Sequence, residues 1–409
     1  VIFGATGFTG ALTCEYLVEI KDKSISWAIA GRNLKKLEKV KQRLCQLDES
    51  LKDLPLIIAD STNPESLEQV VSQTRVVLAT VGPFFKYGTP LVDACVRHHT
   101  HYVDITGEYH WVKQIIDTYH TQAQQNNVMI VPCCGFDSIP SDMGVFMVSR
   151  YMQEKHGLDV SAVKTSVVRL DGGVSGGTSQ SILGILTDES PLTIKQNMDP
   201  YLLVSSKKGT DKFHLPPFTR DRDFSKTLFQ VLFIMAPINE RIVRRSWALY
   251  AERGRSYGHL FTYREYMSMK FLPAFLFTMF LYTVMPIGMA LMKISWFGRL
   301  VKKLAPQSGA GPNEETRKRG GFEYNIIATG ETEPYDAPVR VKGIVKGFRD
   351  PGYGDTCRMV VESALSIIHS HDRLPGKEGG ILTPASAFGD VLLERLTKDQ
   401  GMIFEVQDL

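Results

Sequence analysis

The sequence lacks the cysteine spacing of a disulfide framework and any His or Cys set spaced to converge on a metal. Its six cysteines (Cys14, Cys45, Cys95, Cys133, Cys134 and Cys357) contain no C-x-x-C pair, which favours a reducing compartment over a disulfide framework. His98, His99 and His101 straddle a helix end and a strand start and would not converge, so no metal is expected. The net charge of +3 is small and gives no reason to expect a nucleic-acid partner. Repeats and long low-complexity tracts are absent. No Tyr-x-x-x-Lys pair sits where short-chain dehydrogenase chemistry would need it. The chain opens without Met, inside its first strand, so residues are expected to precede Val1, and a short targeting segment is left open.

What is present is ordinary globular material, 43% hydrophobic and 22% charged over 409 residues, enough for about two or three domains. It begins with a short apolar run, Val1-Ile2-Phe3, that leads into Gly4-Ala5-Thr6-Gly7-Phe8-Thr9-Gly10. An amphipathic stretch with Leu12, Tyr16, Leu17 and Ile20 on one face follows. Strand, tight glycine turn and helix form the setting in which a backbone approaches a pyrophosphate. The helix N-terminus then offers N–H groups and the positive end of its dipole. Gly4 through Gly10 are therefore the first cofactor candidates.

Short apolar runs at 27–30, 56–60, 76–81, 101–104 and 128–131 alternate with helical patterns and predict a doubly wound parallel (Rossmann) α/β sheet of about six strands over residues 1–142. At the end of the second strand an NAD-preferring site would carry Asp or Glu. This chain has Arg32, whose fork suits a 2′-phosphate, so NADP is favoured over NAD. Asp22 precedes that strand and is wrongly placed for a ribose. Asp60 closes the third strand, where adenine edges lie, or else serves as a turn residue. Val81-Gly82-Pro83-Phe84 follows the fourth and should lie near the nicotinamide ribose. Hydride transfer asks the protein for orientation, a proton relay and exclusion of water. Tyr87, Glu108, Asp137 and Ser138, all on loops after strands, are the relay candidates, each with a structural alternative as a cap or turn residue.

These motifs carry a family resemblance. Gly4–Gly10, Ala30-Gly31-Arg32, Val81–Phe84, Asp104–Glu108, Gly135–Asp142, Asp350–Tyr353 and Gly379–Ala385 together resemble the saccharopine dehydrogenase-like oxidoreductases. The nearest branch holds the eukaryotic saccharopine dehydrogenase-like protein and bacterial trans-acting enoyl reductases. The resemblance implies an NAD(P) fold and a link to lipid. It does not imply saccharopine chemistry, because no basic cluster is placed to hold that substrate's carboxylates.

Residues 143–409 read as a second, α+β domain, whose C-terminal elements are expected to pack on the first. Strands are predicted at 163–170, 322–329, 339–347 and 402–406, and helices at 356–369 and 390–398. A Gly-rich run from Gly172 through Gly177 walls a substrate pocket or forms a plain turn. In the first case Gly177, Thr178 and Ser181 would bind substrate. Phe271–Met292 contains no charged residue or His and is long enough to cross a bilayer as a helix. Pro273 and Pro286 should bend or break it. A buried core helix, a spanning helix and an interfacial anchor compete. The anchor is favoured because it keeps both flanks on one side of the lipid.

The reading is an NADP-dependent oxidoreductase acting on a lipid-like carbonyl or enoyl group at the cytoplasmic face of a membrane or lipid droplet, contacted through 271–292. A non-catalytic cofactor-binding sensor or scaffold, and a soluble cytoplasmic amino-acid-type dehydrogenase, are the alternatives. A homodimer is compatible with the chain, though nothing in the sequence requires one.

Overall fold

A computed structural model describes residues 1–136, 138–172, 192–206, 208–214, 218–292, 314–333 and 335–409. The first strands are β1 (Ile2–Phe3), β2 (Ile29–Gly31), β3 (Leu56–Ile58), β4 (Val76–Ala79), β5 (His101–Asp104) and β6 (Met129–Val131). Later in the chain come β7 (Val160–Asp171), β8 (Phe229–Leu232), β9 (Thr262–Met269), β10 (Gly321–Gly330), β11 (Arg340–Gly347), β12 (Gly380–Ile381) and β13 (Met402–Asp408). They form two sheets, one ordered β12-β6-β5-β4-β1-β2-β3 and the other β13-β11-β10-β7-β9-β8.

Every pairing in the first sheet is parallel. Apart from the edge strand β3, where Ile58 is exposed, its strands are buried on both faces, which is why they read as continuous apolar runs rather than alternating ones. Side chains still alternate in destination. Ile2, Leu78, Val103 and Met129 enter one core with Cys14 and Leu37. Phe3, Val77, Tyr102 and Ile130 enter the other with Leu67, Val92 and Trp111. Each such burial contributes roughly 1.5–3 kcal/mol before entropy is counted. The connecting helices are α1 (Phe8–Glu19), α2 (Leu34–Leu47), α3 (Pro64–Val71), α4 (Phe84–Tyr87), α5 (Thr89–Arg97) and α6 (Tyr109–Gln125).

The expected six strands become seven, because the chain returns to this sheet late and adds β12 beside β6. Two residues give no periodicity to read. The second sheet is mixed: β7 and β9 are parallel, while β10 pairs antiparallel with β7 and with β11. Two helices join the sheets. These are α7 (Ile139–Tyr151), which leaves the first sheet and packs on β10 and β11, and α8 (Ala236–Glu252), which packs on α7 and β9. The helix Thr356–Ser370, α9, packs against α1, β4 and β5, so the C-terminal third also covers the nucleotide half. On α7, Asp142 is fully buried and accepts from Ser246 Oγ on α8 and from the Ala385 N–H at 2.8 Å.

The apolar segment stays helical throughout. It runs as Phe271–Met279, a π-turn at Phe280–Val284, and Met285–Met292. The widened turn precedes Pro286, which lacks the N–H that an α-helix needs there. The expected break is thus a local widening. The core-helix alternative fails. Leu272 is 61% exposed, Phe275 48% and Ile287 60%, and among the described residues only Ala274 and Leu281 are buried. The base of the segment is fixed by rings: Phe271 lies 5.4 Å from Phe229 and 6.0 Å from Phe218.

Candidate active site

The glycine loop joins β1 to α1 as its spacing predicts. Gly4 has φ of +95°, and a Cβ there would lie 2.6 Å from Val81 Cγ2. A Cβ on Gly10 would lie 2.2 Å from the Gly4 carbonyl oxygen. Both positions are therefore used up by the packing of β1, β4 and α1. Gly7 is different. It is exposed, and a Cβ there would meet only the Gly4 oxygen, at 3.3 Å. Gly7 is also the N-cap of α1, with no side-chain cap and no acidic residue in the first turn. A pyrophosphate fits this cradle: open space beside Gly7 and uncapped N–H groups at Phe8 and Thr9. Ala5 is buried and Thr6 half-buried beneath it.

The adenosine end of a dinucleotide would lie past β2. Arg32 is exposed there, followed by Asn33, whose side chain caps α2 by accepting from Lys36 N–H at 3.1 Å. The first turn of α2 holds Lys35 and Lys36 and no acid, the wrong sign for a helix N-terminus on its own. Arg32, Lys35 and Lys36 have no ion-pair partner among the described residues. A 2′-phosphate would satisfy this cluster, to which Lys35 and Lys36 add two cations beside Arg32. Asp60 is tied into a local turn, accepting from Thr62 N–H at 2.9 Å and Thr62 Oγ1 at 2.8 Å. Those bonds, with Arg32 nearby, hold its carboxyl below the ordinary range. Asp22 bonds Ser24 and His369, away from the site.

The loops after β4, β5 and β6 are fastened by one relay of hydrogen bonds. Asp104, fully buried at the end of β5, accepts from Tyr102 Oη at 2.8 Å, Thr106 N–H at 2.9 Å and Cys133 N–H at 3.1 Å. Cys133 takes a left-handed φ of +63° to present that N–H. Thr106 Oγ1 accepts from Glu108 N–H at 3.1 Å. The Glu108 carboxylate in turn accepts from the Phe84 and Phe85 N–H groups, at 3.1 and 2.8 Å, at the head of α4. Burial pushes the Asp104 carboxyl up to about 7, against the pull of its hydrogen bonds. Glu108 thus pins Phe84 and Phe85, at the end of the run Val81-Gly82-Pro83-Phe84. Tyr87 ends α4, half-buried.

Ser138 is fully buried at the head of α7 and donates to Asn239 Oδ1 at 3.2 Å. Asn239 Nδ2 donates to Glu265 at 3.0 Å, and Glu265 also accepts from Ser141 Oγ at 2.9 Å. Burial pushes Glu265 up to about 8. Phe136 stacks edge-on to Phe322 at 4.9 Å, which brings the β6 loop against the second sheet. The structure therefore gathers Tyr87, Glu108 and Ser138 at the C-terminal edge of the first sheet, where open α/β sheets bind ligands. Asp137, Gly177, Thr178 and Ser181 lie outside the described residues.

Comparison with known proteins bears on this geometry. A model of the saccharopine dehydrogenase NADP binding domain matches residues 1–131. A Mycobacterium tuberculosis protein provisionally named trans-acting enoyl reductase is 37% identical over 418 residues, spanning 97% of this chain and 94% of its own. The trans-acting enoyl reductase of Mycobacterium leprae is 34% identical over 411 residues, with 97% and 94% covered. Apo histidine-tagged saccharopine dehydrogenase (L-Glu forming) from Saccharomyces cerevisiae shares the fold, with a TM-score of 0.56 and 10% identity over 100% of this chain and 99% of that one. Fold, glycine cradle and matched domain define an NADP-dependent oxidoreductase. The chain belongs to the saccharopine dehydrogenase-like family, in the branch that includes the trans-acting enoyl reductases.

Two predictions follow from this geometry. Arg32→Ala should weaken NADPH about tenfold to a hundredfold, the worth of charged hydrogen bonds to one phosphate, and leave NADH unchanged. Fluorescence titration of both cofactors checks it, and equal losses for the two would remove Arg32 from the 2′-phosphate site. For Asp104 the folded pKa lies above the unfolded one. Its stabilising contribution is therefore complete below about pH 4 and is lost as pH rises toward 7. The stability margin of the wild type over Asp104→Asn should shrink by about 1 kcal/mol per pH unit across that window, as read by denaturant melts at pH 5 and 7. A margin that grows with pH would contradict the assignment.

Proposed function

We propose that the protein uses NADPH to reduce the enoyl double bond of a lipid-like acyl substrate, working beside a lipid surface on the cytoplasmic side of a membrane or droplet. The carrying observation is the match of 97% of the chain to relatives named trans-acting enoyl reductases. Enoyl chemistry is preferred over carbonyl chemistry on the same ground. The bound cofactor supplies the hydride. This chain's residues hold it: Gly4, Gly7 and Gly10 shape the cradle for the pyrophosphate, and Arg32 with Lys35 and Lys36 meets the 2′-phosphate. The turn pinned by Glu108 shields the nicotinamide end from water.

The lipid surface is supported by the exposed face of the 271–292 helix. Phe271, Leu272, Phe275, Leu276, Met279 and Phe280 are all 46–61% exposed. Such a contiguous apolar patch is costly in water and favourable at an acyl boundary. The flanking Lys270 is suited to a headgroup layer.

Purified protein should oxidise NADPH, followed at 340 nm, with medium-chain trans-2-enoyl thioesters and not with the saturated thioesters. No oxidation across chain lengths, with NADPH binding intact, would remove the enoyl reading. Phe275→Asp combined with Phe280→Asp should abolish flotation with phosphatidylcholine/phosphatidylserine vesicles without lowering the melting temperature. Undiminished flotation would exclude this helix as the contact.

A further inference from the structure

Among the described relay candidates, the hydroxyl of Ser138 and the carboxylate of Glu108 are engaged within the protein. Ser138 is fully buried, with its O–H donating to Asn239 Oδ1 inside the protein, and each oxygen of the buried Glu108 accepts a backbone amide of the α4 turn. Beside them stands a group the sequence reading passed over. Tyr109 follows Glu108 directly and opens α6. It is half-buried, on the same sheet edge as the glycine cradle, with its hydroxyl donating to Asn197 Oδ1 at 3.0 Å.

The face of its ring is covered by Arg241 of α8, with Cζ 4.6 Å from the ring centroid. Arg241 is only 6% exposed, and no carboxylate lies within 4.0 Å of it among the described residues. Its Nη1 and Nη2 donate to backbone carbonyls, of Pro237 at 2.5 Å and Asn197 at 2.6 Å, and its Nε has no partner. A buried guanidinium without an acid is expensive to keep. Asp199 and Glu240 are the acids whose charge reaches it from farther off. Its charge is directed at the phenol, and the N-terminus of α6 adds the same sign from the other end of Tyr109.

We infer that Tyr109 is the proton donor of the reduction, with Arg241 as its positioning residue. This rests on the enoyl-reductase reading. The β-carbon of the enoyl thioester gains a hydride, which bound NADPH would supply in becoming NADP⁺. The C=C electron pair moves onto the α-carbon and thioester oxygen, and the Tyr109 O–H bond breaks to give its proton to the α-carbon. The negative charge left on the phenol oxygen is met by the Arg241 guanidinium and the α6 N-terminus until solvent returns a proton. Asn197 holds the hydroxyl in register before transfer.

The test uses the full chain with a trans-2-octenoyl N-acetylcysteamine thioester. Tyr109→Phe should lose turnover by about 10²–10³-fold, the usual worth of a positioned acid, with NADPH affinity and melting temperature unchanged. A second variant tests the positioning role: Arg241→Met should lower kcat about tenfold at unchanged KM, and Arg241→Lys should restore most of it. A change in KM alone in Arg241→Met would remove the positioning role. Turnover of Tyr109→Phe within threefold of wild type overturns the proposal while leaving the reductase reading intact. If wild type reduces no enoyl thioester, the reductase reading fails and this proposal with it.

Discussion

Three loops at the cofactor edge depend on one buried carboxyl. Asp104 collects a phenol and two backbone amides at the end of β5, and through Thr106 and Glu108 its influence reaches the head of α4. Loops are ordinarily the softest part of a fold because their polar backbone must be satisfied by water. Here the donors of three successive loops are satisfied inside the protein by two acids. Removing either would leave buried N–H groups without acceptors, at a cost of roughly 1–3 kcal/mol each. The left-handed Cys133 is part of the same arrangement: the strain of its φ is accepted so that its N–H reaches Asp104.

The second domain is attached by buried polar contacts as well as by apolar packing. Asp142 and Ser246 tie α7 to α8, and Arg245, fully buried, donates to the carbonyls of Leu203 and Ile381. Arg245 therefore bolts α8 to β12, the strand that closes the first sheet. Polar contacts of this kind demand one geometry, whereas apolar faces tolerate sliding. The position of α8 on the first sheet is thus fixed where Arg241 covers the Tyr109 ring.

Much of the nucleotide half was legible in the sequence. The Gly4–Gly10 loop and six of the parallel strands are local signals, each readable within a window of ten residues, and the combined motifs named the family. What was not legible is non-local. β12 is two residues long and exists only because β6 offers it an edge. Arg241 and Tyr109 are neighbours only after α8 is laid across the sheet. The strand at Trp27 begins two residues later than the apolar run implies, since Ile29 is the first residue with a partner on β1. The fate of 271–292 was ambiguous for a physical reason. Hydrophobicity reports what a segment avoids, and a protein core and a lipid both meet that requirement.

The late arrival of β12 gives the domain an order of assembly. A ribosome delivers the glycine cradle and β1 to β6 first, at about 5–20 residues each second. Until Gly380 and Ile381 emerge, β6 stands as a bare edge of unpaired amides, the kind of edge that recruits strands from other chains. The cofactor half of this protein is first to be made and among the last to be finished.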